Sequence, residues 1–330
     1  MKKNLFIFLI LIIFFSSCRN ETKILINKHE KLYLESFKNT NDYELAKAIK
    51  DSSVRKIDEF LIHDKSIVER SYNENYYSVL HFAAELERTD AIKHLLRNGF
   101  NPNVKTISGE TPLHIAAGFP SIVFYNSYRN CEVVETLLDY NADTEMLYTF
   151  QMVKDIESVP MTPLMSSIRN SLSFAASSSL SPIMPSMGMN DISQNRRKYV
   201  CLEKTKMLVE KGNADVNRKT TYDVTASILA LYYGEIEKAH YLISQKKAQV
   251  TDVFYISEDN FNKKIQTRPV ELLRKLLYPL DSEEYKLKQE IIEEFKRQGI
   301  DYYSEPIPEE TLDKIKKLYP DSWEEYIKVY

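Results

Sequence analysis

The chain has 330 residues, 44 Lys+Arg against 47 Asp+Glu, and a formal net charge of −3. This mildly acidic balance offers no basic field for nucleic acid, which argues against nucleic-acid binding. Seven glycines argue against Gly-rich β or phosphate-loop architectures, and three cysteines are too few for a disulfide framework.

The first element is a leader. Met1 to Asn4 carries two lysines, and Leu5 to Phe15 is an unbroken run of eleven apolar residues. A membrane-crossing helix needs about 20 apolar residues, so this run fits the core of a secretory signal instead. Phe15-Ser16-Ser17-Cys18 follows, and it resembles a bacterial lipobox: an apolar residue, two small residues and an obligatory cysteine. The resemblance implies that residues 1–17 are a signal peptide cut before Cys18 and that the Cys18 thiol carries lipid. The membrane is thus an expected partner through Cys18. The expected location is the bacterial cell envelope, periplasmic or surface-exposed. Residues 18–40 read as a tether.

Two short helices are predicted next, over Asn41–Ile49 and Val54–Leu61, as a leading cap spanning 41–70. A repeat then appears. Ser78-Val79-Leu80-His81-Phe82-Ala83-Ala84 recurs 33 residues later as Thr111-Pro112-Leu113-His114-Ile115-Ala116-Ala117. An apolar pair on a second helix follows each, Leu95-Leu96 and Leu137-Leu138. Further starts fall at Thr162-Pro163-Leu164-Met165 and at Thr225-Ala226-Ser227-Ile228. Asn103 to Thr111 and Asn217 to Thr225 are both eight residues, whereas Glu145 to Thr162 is 17.

These motifs over residues 71–250 resemble the ankyrin repeat family, whose Thr-Pro-Leu-His signature is matched most fully at 111–114. The resemblance implies an all-α repeat solenoid with short loops or hairpins between helix pairs and helical caps at the ends. The array spans 41–257, with repeats near 71–105, 106–150, 151–219 and 220–255. Thr111 is expected to cap its helix, with Pro112 in the first turn, where its missing N–H costs nothing. Gly99 and Gly212 are expected in left-handed turns that end second helices. An extra stretch at 119–130 and a longer insertion at 171–197, rich in Ser, Met and Pro, fall between helices, where such arrays tolerate them. The longer insertion reads as a flexible loop, with its apolar members leaving open a small cover or contact site. Residues 258–330 are expected to form a helical cap and tail, with helices near 268–277, 282–298, 309–318 and 322–330. Tyr302, Tyr303, Tyr319, Tyr326 and Trp323 read as core packing rather than interface.

No catalytic or metal-ligating motif emerges, and no small-molecule cofactor is implied. His81 and His114 occupy the signature position, where the resemblance implies a structural imidazole bonded near the helix start. Family members hold protein partners on loop tips and inner helix faces. By position the tip candidates are Tyr72, Tyr76 and Tyr77, then Lys105, Ile107 and Ser108, then Arg218, Lys219 and Tyr222. The expected function is a non-catalytic protein-interaction module with another protein as partner. A spacer role in the envelope and toxin-neutralising (immunity-type) binding are the alternatives. Whether Cys131 and Cys201 pair stays open.

Overall fold

A computed structural model describes residues 30–31, 33–63, 77–118, 131–150, 159–168, 202–220, 222–258 and 263–330. The leader, Cys18, Tyr72, Tyr76, Cys201 and the insertion at 171–197 lie outside the described residues. The chain is an all-α repeat fold with, among the described residues, two short antiparallel hairpins. It divides into two compact units, Met1–Asp143 and Thr144–Tyr330.

Among its described residues the first unit holds three helix pairs: α1 (Tyr43–Lys50) with α2 (Val54–His63), α3 (Val79–Glu85) with α4 (Thr89–Arg97), and α5 (Pro112–Ala117) with α6 (Cys131–Asp139). First helices stack on first helices and second on second. The first helices α3 and α5 are short and apolar nearly all round, which is the pattern of a helix buried on every side, whereas α1 buries one stripe of Leu45, Ala46, Ala48 and Ile49. Every residue of α5, from Pro112 to Ala117, is buried. Ala83, Ala84, Ala116 and Ala117 keep side chains small there and let helices approach closely. Second helices bury one stripe only, as Ala91, Ile92, Leu95 and Leu96 do on α4. Ahead of the cap, residues 30–31 and 33–35 are helical, and Leu34 and Phe37 are buried. The Phe37 ring lies 5.5 Å from Phe82. Arg88 bonds Glu30 at 2.9 Å, so the chain is packed against the first unit from residue 30 onward.

The second unit repeats the scheme. The hairpin β1 (Tyr148–Phe150) and β2 (Val159–Met161) leads into α7 (Pro163–Ile168), which pairs with a helix over 202–210, α8. Then come α9 (Ala226–Tyr232) and α10 (Ile236–His240), the latter running on into a π-helical turn, Tyr241–Gln245. A second hairpin, β3 (Phe254–Glu258) with β4 (Lys263–Thr267), pairs Ile256 with Ile265. It precedes α11 (Pro269–Lys275) and α12 (Glu283–Arg297). Helices α7, α9 and α11 stack in turn, and α12 stacks on α10. The last pair therefore continues the repeat, and its hairpin is an element that helical spacing alone does not predict. Two final helices, α13 (Glu309–Leu318) and α14 (Trp323–Val329), fall where the sequence places them.

Local signals explain the helix ends. Hydroxyls cap four first helices: Ser78 accepts from the His81 N–H, Thr111 from His114, Thr162 from Met165 and Thr225 from Ile228, at 3.2–3.4 Å. Left-handed residues end second helices at Gly99, Asn141, Asn213, Lys247 and Gly299. Gly99 thus does what its type suggests. Gly212 does not, because the next residue, Asn213 at φ 54°, takes the left-handed turn; asparagine tolerates that region. Lys238, 2% exposed, closes the C-terminal end of α7 by donating to the Ser167 and Ile168 carbonyls at 3.1 Å. In each unit a histidine staples neighbouring second helices: His94 to Asp58 at 2.7 Å and His240 to Glu290 at 2.6 Å.

Candidate binding surface

The loop entering α5 is built on its own side chains. Asn101 Oδ1 accepts from the Asn103 N–H at 2.9 Å and turns the chain. The Thr106 N–H donates to the Glu110 carbonyl and the Gly109 N–H to the Thr106 carbonyl, both at 2.9 Å, closing a tight tip. Thr106 Oγ1 accepts from the Glu110 N–H at 3.1 Å. Gly109 has φ 86°, the left-handed region that glycine enters without steric cost. His81 anchors the base of this finger. Its Nε2 bonds the Glu110 carbonyl at 3.0 Å, and its Nδ1 accepts from the Ser78 N–H at 3.1 Å. These partners assign the neutral tautomer with the proton on Nε2. Burial drives the His81 pKa down to about 4, against the upward pull of the Glu110 and Val104 backbone contacts. His114 makes the same capping contact, accepting from the Thr111 N–H at 3.2 Å.

The loop entering α9 is made the same way. Asp215 Oδ1 accepts from the Asn217 N–H at 2.9 Å. The Thr220 N–H donates to the Val224 carbonyl at 3.0 Å and the Asp223 N–H to the Thr220 carbonyl at 3.1 Å. Asp223 takes the left-handed place of Gly109, at φ 58°. Each finger is also tied to the following loop by one asparagine. Asn103 Oδ1 accepts from the Asp143 N–H, and Asn217 Oδ1 from the Gln249 N–H, both at 2.8 Å.

The candidate residues sort by finger. Lys105, Ile107 and Ser108 come together on the first unit's finger and are all exposed, Ile107 at 67%. Ser108 Oγ is hydrogen-bonded to Thr106 Oγ1 at 2.9 Å, which leaves Lys105 and Ile107 as the outward groups of the tip. Arg218, Lys219 and Tyr222 come together on the second unit's finger. Arg218 and Lys219 are exposed, and Tyr222 is half-buried. Lys219 Nζ sits 2.6 Å from Asp252, and that contact raises its pKa. Tyr77 stands apart: half-buried, with its ring stacked 5.3 Å from His81 and tilted against Tyr33 at 5.9 Å, it belongs to the packing of the cap.

Two exposed aromatic groups of the second unit, one of them beside the second finger, escape sequence reasoning. The Tyr255 N–H donates to the Tyr222 carbonyl at 3.1 Å, so β3 lies against the finger, and the Tyr255 side chain is 36% exposed. Tyr232, at the end of α9, is 53% exposed. The signal for Tyr255 was the β-favouring run Phe254-Tyr255-Ile256. Among the described residues no group of His, Cys, Asp and Glu is arranged to hold a metal, and no helix is long and apolar enough to cross a membrane.

Stacked helix pairs, capped by hydroxyls and joined by braced fingers, define a repeat protein of the helix-pair class. A family model described as ankyrin repeats (3 copies) matches residues 38–148 and again 80–177. Over 66 residues the chain is 36% identical to the nuclear factor NF-kappa-B p110 subunit of Drosophila melanogaster, covering 20% of this chain and 7% of that protein. Ankyrin repeats are therefore present here, and such repeats indicate a protein–protein interaction module.

Proposed function

We propose that this chain is a lipid-anchored envelope protein whose ankyrin repeats capture another protein without catalysis. The observation that carries the binding half is the exposed Ile107 on a finger tip held by four hydrogen bonds. A large apolar side chain on a rigid turn gains little from folding and presents contact area that needs no further ordering on binding. Lys105 beside it supplies charge for orientation and encounter. On the second finger Arg218, Lys219 and Tyr222 offer the same mixture, with Tyr255 alongside.

The anchoring half rests on Phe15-Ser16-Ser17-Cys18 behind a basic start and an eleven-residue apolar run. Two or more acyl chains give a lasting hold on a bilayer, at roughly 0.8 kcal/mol per buried methylene. The proposal is tested with full-length protein carrying Lys105→Ala and Ile107→Ala. Partner capture should fall about tenfold or more, the loss expected when a central apolar contact is truncated, with thermal unfolding unchanged. Undiminished capture by a normally folded variant removes this finger from the binding surface.

A further inference from the structure

We propose that residues 301–330 form a releasable strap over the end of the second unit's helix stack, seated on two cations that return to water when it lifts.

The seat is Arg274 on α11 and Lys288 on α12, 5% and 0% exposed. Neither meets an acidic side chain among the described residues. Tyrosine rings and backbone oxygens hold them instead. The Arg274 guanidinium lies 4.4 Å from the Tyr302 ring centre and 5.2 Å from that of Tyr330. The Lys288 ammonium lies 3.7 Å from the Tyr330 ring centre and 5.3 Å from that of Tyr302. Lys288 also donates to the Leu276 carbonyl at 2.8 Å, and Arg274 donates to the backbone oxygens of Glu305 and Tyr330. The Tyr330 hydroxyl returns a bond to the Arg274 carbonyl. Burial beside Arg274 holds the Lys288 pKa well below the ordinary lysine range.

Strap and stack are otherwise joined lightly. The apolar cluster of Ile315, Tyr326 and Tyr330 packs against Ile307, Tyr319, Trp323 and Ile327, all within 301–330, and against Leu277 alone from outside it. Further ties are single polar bonds: Arg268 to Glu305 at 2.7 Å, the Tyr285 hydroxyl to the Val329 carbonyl and the Tyr326 hydroxyl to the Tyr278 carbonyl, both at 2.8 Å, and the Tyr303 hydroxyl to Gln289 Oε1 at 3.4 Å. The strap thus carries its own small core.

The physics of the seat favours release. An apolar seat would expose hydrocarbon when the strap lifts, and water would oppose that. Here closing strips water from the Arg274 and Lys288 head groups, which tyrosine rings and main-chain oxygens meet in place of acidic side chains, and opening restores it. Cation–ring contacts offset part of that cost while the strap is closed. The terminal face of a repeat stack needs to tolerate water, and Arg274 and Lys288 let this one do so with the strap away.

Hydrogen exchange on the full chain tests this. Amides of α13 and α14 should exchange on the order of tenfold or more faster than those of α12, through an opening that leaves the stack intact. Tyr330→Ala should speed the strap further while α10 and α12 keep their protection. Lys288→Met, which replaces a buried amine that no acidic side chain meets with an apolar group, should slow strap exchange on the order of tenfold. A single shared rate for strap and α12, or loss of protection in α12 on Tyr330→Ala, would overturn the proposal.

Discussion

The chemistry of His81 carries a consequence that pH exposes. Its Nδ1 accepts the Ser78 N–H, and a proton there would face another donor. With a folded pKa of about 4 against an ordinary 6.5, the folded chain binds fewer protons than the unfolded chain between those values. The contribution is fully present above pH 6.5, is lost as pH falls toward 4, and levels off below. The shift corresponds to about 3 kcal/mol over that window. Denaturant unfolding of the wild type and of His81→Gln at pH 7 and pH 4.5 checks it. The wild type should lose more stability on acidification than the variant does. Equal losses would show that His81 does not take up the proton on unfolding.

Helices were largely legible because their signals are local. Ser78, Thr111, Thr162 and Thr225 stand immediately before apolar runs, and each caps a helix. Hairpins between helix pairs were expected from the family resemblance, but the position of the one at Phe254–Thr267 was not legible, since strands of five residues leave a short period-two trace beside strong helical units. Gly212 misled for a related reason. Residue type marks a left-handed position only when glycine is the residue used, and here Asn213 is used. The fingers were legible as loops, but not as braced elements. Beyond the bonds within each tip, Asn103 and Asn217 tie the fingers to the following loop at 2.8 Å. Asn103→Ala should therefore cost about 1 kcal/mol and raise exchange at Asp143, measured by denaturation and by hydrogen exchange. Unchanged exchange at Asp143 would show that the brace is idle.

At the scale of the molecule, sequence and structure inform different halves of the account. Residues 30–40 show where reading by pattern stops short: they look like tether, yet Leu34 and Phe37 are buried against the first unit. No periodicity marks so short a segment, because its burial depends on Phe82 and Tyr77 brought near by the fold. Tyr302 and Tyr326 pack inside as their apolar neighbours suggest, while Tyr303 is 53% exposed. The anchor is a matter of sequence alone. Cys18→Ala should move the protein from the detergent phase to the aqueous phase on phase separation. A variant that still partitions into detergent would refute lipidation at Cys18.

Protein capture by the fingers is the claim on which the rest depends, and site-specific photo-crosslinking in producing cells tests it most directly. A crosslinking residue is placed at 107, on the braced tip, and in a separate chain at 62, on a helix surface. Ile107 and Ile62 are similarly exposed, at 67% and 72%, so exposure alone does not separate them. The account predicts a discrete heavier adduct from position 107 and none from position 62. An equal adduct from both positions, or none from 107, would contradict it.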